Sequence, residues 1–548
     1  MKSTVKNIGK LAAALCLLGI FLSSCKKSKA DITPDDPDSR AVVLADGTRK
    51  QISLDSLYLY AQQIYYWNDA IPAYDAFNPR KYGKSSTDID DYEDELYAIS
   101  QLKINPSTGK PYEFSTDGYP KYSFIDDLRL ANPSATATLN TKASVDTEGN
   151  GYDIGIRPVG FLTSSTLKAA GPYLLFITAV YPGSPAATAN VQRGWVINKI
   201  NNTTIGNNFN SEINQVNAAL GGASVKIEGY NYVDKVPFAL TLNKTSYKSS
   251  PVYTSKVITR TGKKIGYLAY ARFSRLSDVN GETDIFLDQV FTEFSSAGVT
   301  DLIIDLRYNG GGYVTSSEHL ANLIAPSSAN GQPMFTEIYN QTMQAGKATI
   351  LKNVPLLDAK GEVQIENGKM ITYADINYSK SASANNYKFG KKGALSGVTN
   401  IVFIVSDNTA SASELLINNL TPYMKVQLVG TTTYGKPVGF FPFTLENRYE
   451  VYMPLFETLN AKGDGGYYSG MVPGTVIEDD PLYPMGDERE KNLQAALTLI
   501  APGSTSQGAT SSAADRSSRV TSFRAEGKKL VPVRSEFNGM IENRHRIN

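Results

Sequence analysis

Thr409, Ser411 and Ser413 crowd three hydroxyls into "SDNTASASELLINNL", just ahead of an apolar run with helical spacing. A hydroxyl becomes a useful nucleophile only when a base takes its proton. His319 and His545 are the only histidines, which leaves little material for a Ser-His-Asp triad and excludes a multi-histidine metal site. A lysine can replace histidine if burial lowers its pKa from about 10.4 toward neutrality. Lys436 in "VGTTTYGKPVGFFPF" suits that role, with Pro437, Val438, Phe440, Phe441, Pro442 and Phe443 around it and no adjacent carboxylate. Upstream, "DLIIDLRYNGGGYV" reads as a buried strand ending in Asn309-Gly310-Gly311-Gly312. Glycines there let backbone amides approach a reacting group, as an oxyanion hole requires. Each piece also has a plain structural reading: Ser411-x-x-Glu414 is a capping box, Gly-Lys-Pro a solvated turn, and the glycine run a flexible turn.

The surrounding pattern says what would position these residues. From about Tyr253 to Ile500 strands and helices alternate, as in an α/β layer structure. "KIGYLAYARF", "DLIIDL", "NIVFIV" and "VQLVG" read as strands; "ETDIFLDQVFTEFSSAG", with Phe286, Val290 and Phe294 on one stripe, and "ELLINNL" read as helices. Residues 329–392 fit poorly and look like a hairpin-rich insertion. Residues 48–130 read as a mostly helical N-terminal region, opened by "LDSLYLYAQQIYYW" with Leu57, Ala61, Ile64 and Trp67 on one face. Residues 150–245 change to short strands separated by turns such as Pro182-Gly183. The chain closes at 501–548 with a flexible Ser/Thr/Ala-rich tail too short to be a domain. The expected fold class is therefore multidomain α/β.

The 548-residue chain carries a formal charge of +1, so no global field favours nucleic acid. Residues 1–24 combine Lys2, Lys6 and Lys10 with the apolar "LAAALCLLGIFL", a secretion signal too short for a comfortable membrane span. Leu22-Ser23-Ser24-Cys25 resembles the lipobox of bacterial lipoproteins, which implies cleavage before Cys25 and lipidation of its thiol. Residues 25–47 would then be a polar tether. The only cysteines are Cys16 and Cys25, which excludes an internal disulfide and a Cys-based metal site in the mature chain.

"AVYPGSPAATANVQRGWVINKINN" resembles the PDZ core of bacterial proteases, with Trp195 where an aspartate is usual. That resemblance implies capture of a peptide carboxyl end as an added strand, with Gly155 and Ile156 in "GYDIGI" as the candidate carboxylate loop. "DLRYNGGG", "TASASELL" and "VGTTTYGKPVG", in this order, resemble the carboxyl-terminal processing peptidases, or tail-specific proteases. The resemblance implies a ClpP/crotonase-like catalytic core and a Ser/Lys dyad. Ser411 would be the nucleophile, Lys436 the base, and the amides of Ala412 and of Gly311 or Gly312 the oxyanion donors. It implies no metal or organic cofactor, unstructured protein or peptide substrates, and a lipid-anchored place in the bacterial envelope, at the outer membrane facing the periplasm. Two positions depart from the family: Pro422 and Phe440 stand where an Asp or a Gln often orients the lysine, so the group orienting Lys436 is open. A catalytically weak peptide- or glycan-binding relative is the alternative. Ser406-Asp407-Asn408 also resembles penicillin-binding enzymes, but no lysine after Asn408 is followed by Thr-Gly or Ser-Gly.

Overall fold

The short apolar runs in the second half of the chain become adjacent strands of one sheet. In spatial order it holds Val252–Arg260, Lys263–Tyr270, Asp301–Asp305, Asn400–Val405, Lys425–Gly430 and Thr475–Val476. The first pair is antiparallel and every later pair parallel. This is the arrangement in a computed structural model that describes residues 46–116, 118–129, 145–163, 171–276, 283–357, 362–398, 400–503 and 539–541. The signal segment, Cys25, nearly all of the tether and most of the tail lie outside those residues.

Period-two alternation divides the strands between two cores. Leu302, Ile304, Ile401 and Phe403 face one layer with Phe291, Leu320 and Leu415 from the helices Ile285–Ala297, Val314–Ile324 and Ala412–Leu420. Ile303, Val402, Ile404 and Val429 face the other, against Leu493 and Leu497 of Lys491–Ile500. Both faces are covered, so the strands read as continuous apolar runs. On Ile285–Ala297 the buried stripe is Leu287, Val290, Phe291 and Phe294; Phe286, expected on it, is 43% exposed because it lies on the solvent side of the first turn.

The N-terminal region packs into the first of these cores. Leu57, Ala61 and Ile64 are fully buried along Arg49–Ile64, and Trp67, just beyond the helix end, stacks on Tyr112 at 4.7 Å. Phe124–Asp127 pairs antiparallel with Tyr449–Tyr452, so that Phe124 lies opposite Tyr452 and Asp127 opposite Tyr449. Within 329–392, Ile365–Glu366 and Lys369–Met370 form a hairpin, whereas Pro333–Tyr339 pairs with Phe456–Asn460 and belongs to a four-stranded sheet.

Residues 150–245 fold around a separate core of Ile177, Ile197, Val216 and Ile227. Its antiparallel sheet runs Pro237–Asn243, Ser224–Asn231, Trp195–Ile200, Tyr173–Val180, Ile156–Leu162, with the helix Phe209–Leu220 alongside. The tail departs from expectation at its described residues. Gly539–Ile541 is a strand, parallel to Gly311–Tyr313, because that glycine-rich edge leaves backbone groups for it to pair with.

Candidate active site

Three neighbouring parallel strands end at the same edge of the central sheet, and each runs directly into one of the candidate segments. Asp301–Asp305 leads to Gly310–Gly312, Asn400–Val405 to Ser411, and Lys425–Gly430 to Lys436. The carboxyl ends of parallel strands are where such sheets place ligands.

The three hydroxyls then separate by their partners. Thr409 Oγ1 donates to the Leu306 carbonyl at 2.8 Å and accepts from Ser406 N at 2.9 Å. Ser413 Oγ donates to the Asn309 carbonyl at 3.0 Å. Ser411 Oγ is buried and has no hydrogen-bond partner. Buried hydroxyls are normally satisfied, so this exception asks for a chemical role. Ser411 also has φ 57° and ψ −107°, a costly backbone for a residue with a Cβ, at the N-terminus of Ala412–Leu420. The helix cap is present in one direction: Ser411 N donates to Glu414 Oε2 at 2.9 Å, while the return contact from Glu414 N to Ser411 Oγ falls short of a hydrogen bond.

Glu414 is the residue that the sequence marked only as a cap. Its Oε2 also accepts from Lys436 N at 2.8 Å, and its Oε1 accepts from Gly435 N at 2.8 Å and from Thr433 Oγ1. One buried carboxylate therefore ties the backbone of Ser411 to that of Lys436. Burial pushes the Glu414 carboxyl up, against the lowering effect of these donors. The Ser-x-x-Glu spacing was the available signal, but nothing local shows that the second oxygen reaches the lysine loop.

Lys436 is fully buried, and burial lowers its ammonium to about 7. The charge of Lys121 acts in the same direction, and Glu113 and Glu414 oppose it. Nζ lies 3.5 Å from the Tyr122 carbonyl and 4.3 Å from the centroid of Phe440. The N-terminal region thus reaches the lysine: Tyr122 Oη donates to the Gly435 carbonyl at 2.6 Å, and Glu113 holds the amides of Tyr122 and Ser123 at 3.1 and 2.7 Å. Phe440 replaces a polar orienting group with an aromatic face.

Gly311 and Gly312 have φ of 110° and 136°, outside the range of residues with a Cβ. Gly311 N donates to Asn309 Oδ1 at 2.9 Å, so it is not a free oxyanion donor; Gly311 supplies room instead. A Cβ there would lie 2.2 Å from the Gly539 carbonyl oxygen and 3.1 Å from Ala412 N. The remaining histidine candidate is elsewhere engaged: His319 Nε2 is 2.8 Å from Asp288 Oδ1, and His545 is outside the described residues.

Residues 264–474 match the model of peptidase family S41. The chain is a serine-type peptidase, and its residues 264–474 form the part that matches family S41. Among its relatives, the carboxyl-terminal-processing protease of Picosynechococcus sp. is 23% identical over 396 residues, covering 69% of this chain and 77% of that protein. The protein of the same name from Synechocystis sp. is 22% identical over 384 residues, covering 68% and 73%. A crystal structure of a Bacteroides fragilis protein assigned by name to the S41 proteases aligns with a TM-score of 0.51 and 21% identity, covering 81% of this chain and 96% of that one, and agrees in fold.

In the 150–245 module one amide of the expected carboxylate loop is already engaged. Gly155 N donates to Asp153 Oδ1 at 2.7 Å, and its carbonyl accepts from Tyr181 N at 3.0 Å. Ile156 is paired with Val180 and 4% exposed. Gly155 is needed for its φ of 80° and because a Cβ would collide with Ser184 Cβ at 1.9 Å. The Gly155 amide is therefore structural in this arrangement. Trp195 stacks on Phe238 at 4.3 Å.

Proposed function

We propose that this serine-type peptidase hydrolyses peptide bonds in extended protein segments with Ser411 as nucleophile and Lys436 as general base. The observation that carries the proposal is the contrast among the three hydroxyls: only Ser411 Oγ lacks a partner, at a strained helix start tied through Glu414 to a buried lysine.

With an ammonium lowered to about 7, Lys436 is substantially a neutral amine just above neutral pH and can accept the Ser411 proton. Oγ attacks the scissile carbonyl, and the developing oxyanion meets the N–H groups of Ala412 and Gly312 at the positive end of the Ala412–Leu420 helix. Lys436 then returns the proton to the leaving amine. A water molecule, deprotonated by the same amine, hydrolyses the acyl-enzyme and regenerates Ser411.

The 150–245 module would recruit the chain to be cut, as a PDZ domain does, along the sheet edge Ile156–Leu162. That edge is largely buried, so recruitment requires it to open. Lipidation of Cys25 would hold the enzyme at the bacterial outer membrane, facing the periplasm. No helix among the described residues is long and apolar enough to cross a membrane.

The test is degradation of an unfolded protein by residues 26–548. Wild type should cleave it and Ser411→Ala should not; equal cleavage by both would place the chemistry elsewhere.

A further inference from the structure

Gly539–Ile541 lies between the glycine strand and the lysine loop. Gly539 N donates to the Gly310 carbonyl at 3.0 Å, and the parallel register sets Gly311 opposite Gly539, Gly312 opposite Met540 and Tyr313 opposite Ile541. In such a ladder the Gly539 carbonyl accepts from Gly312 N–H. On the other side Phe440 N donates to the Met540 carbonyl at 3.0 Å, and Phe440 bridges Ile541. The side chain of Met540 is fully buried in the main core. Three residues near the end of the chain thus form an added strand with hydrogen bonds to both walls.

Their placement matches that of a substrate rather than a random surface contact. The Gly539 carbonyl oxygen points at the donor assigned above to the oxyanion, and it shares with Ala412 N the space that a Gly311 Cβ would fill. Ser411 and Lys436 are both 0% exposed in this arrangement, although an endopeptidase must admit a chain to its nucleophile. Ser411 Oγ has no hydrogen-bond partner here, so the nucleophile is not engaged with a base in this arrangement.

We infer that the carboxyl-terminal segment is a built-in ligand of the substrate cleft, bound uncut as a β-strand and competing with substrate. This rests on the reading of Ser411 as nucleophile. It also gives the ligand chemistry of the cleft: an extended backbone parallel to Gly311–Tyr313, with a glycine carbonyl at the oxyanion donors and an apolar side chain buried at the following position.

The test uses residues 26–548 with and without Met540→Asp, which places a charge where the side chain is buried. The variant should cleave an unfolded protein with kcat/KM raised about tenfold or more, mostly through a lower KM. A synthetic peptide of residues 536–548 should inhibit it competitively, and the same peptide carrying Met540→Asp should not. Unchanged or lower kcat/KM in a folded variant, or non-competitive inhibition, would overturn the proposal. So would loss of residues 540–548 from the wild type on incubation, which would make the tail a processed substrate. A fluorescent form of the 536–548 peptide should also bind the Ser411→Ala, Met540→Asp double variant in fluorescence anisotropy. That readout needs no turnover, so binding without any wild-type activity would sink the nucleophile assignment while sparing the cleft ligand, and no binding would sink the ligand itself.

Discussion

Thr409, Ser411 and Ser413 have the same chemistry and opposite fates, and the difference lies in whether a carbonyl is within reach. Thr409 and Ser413 each satisfy one, so Ser413→Ala should cost about 1 kcal/mol of stability and leave activity nearly intact, measured by urea denaturation alongside peptidase rates. Ser411 satisfies none, so Ser411→Ala should keep stability within about 1 kcal/mol while turnover falls on the order of 10³-fold or more. Lys436→Met should behave likewise in activity. Burial penalises the folded ammonium, so the folded state binds fewer protons than the unfolded chain between pH 7 and the ordinary lysine range, and lysine's contribution to stability improves as pH rises there. Methionine lacks that penalty, so the variant's Tm at pH 7 should equal or exceed that of wild type. A Tm well below it would mean that Lys436 is structural.

At the scale of elements, three parallel strands deliver three loops to one edge, and Glu414 locks two of those loops together. Four donors converge on its two oxygens, leaving no room for a proton of its own. Glu414→Gln must turn an NH₂ toward some of those donors, so kcat should fall more than KM rises. The carboxylate charge raises the Lys436 pKa, so its removal should also move the acid limb of the rate profile to lower pH. An unmoved limb would make Glu414 a purely structural cap. The strands themselves were readable, because apolar runs such as "DLIIDL" and "NIVFIV" are what burial on both faces demands. Ser411 and Lys436 were readable as candidates from small residues and an apolar neighbourhood. The Tyr122 carbonyl at Lys436 and the tail strand beside Gly311 were not, because both contacts join segments far apart in the chain and leave no local pattern.

Across the whole molecule, the 150–245 module and the catalytic core share a buried charge network. Arg193 donates to the Thr178 carbonyl at 2.6 Å within the module, and to Asp479 Oδ1 and the Asp480 carbonyl, both at 2.8 Å, in the core. Arg307 joins Asp305, Asp479 and Glu490, and Arg157 lies 4.3 Å from the Tyr308 ring centroid and 3.2 Å from Asn408 Oδ1. The network therefore touches the loop that leads to Gly310–Gly312 and the loop that carries Ser411. Burial alone would raise the Asp479 carboxyl, but the charges of Arg193 and Arg307 hold it well below the usual range. Its stabilising contribution is present above about pH 4, where the unfolded carboxyl is already ionised, and is lost as pH falls further. Arg193→Ala should cost about 1.5–3 kcal/mol by taking a charge-assisted hydrogen bond from Asp479, which keeps Arg307, read from denaturant midpoints. A loss under about 1 kcal/mol would show that module and core are not coupled through this contact.

The most direct test of the account is the pH dependence of kcat/KM for cleavage of an unfolded protein by residues 26–548. A neutral Lys436 as base predicts a rise through an apparent pKa of about 7 to a plateau, with no comparable activity in Lys436→Met or Ser411→Ala. A midpoint near the ordinary lysine value of about 10.4, or a normal profile in either variant, would contradict it.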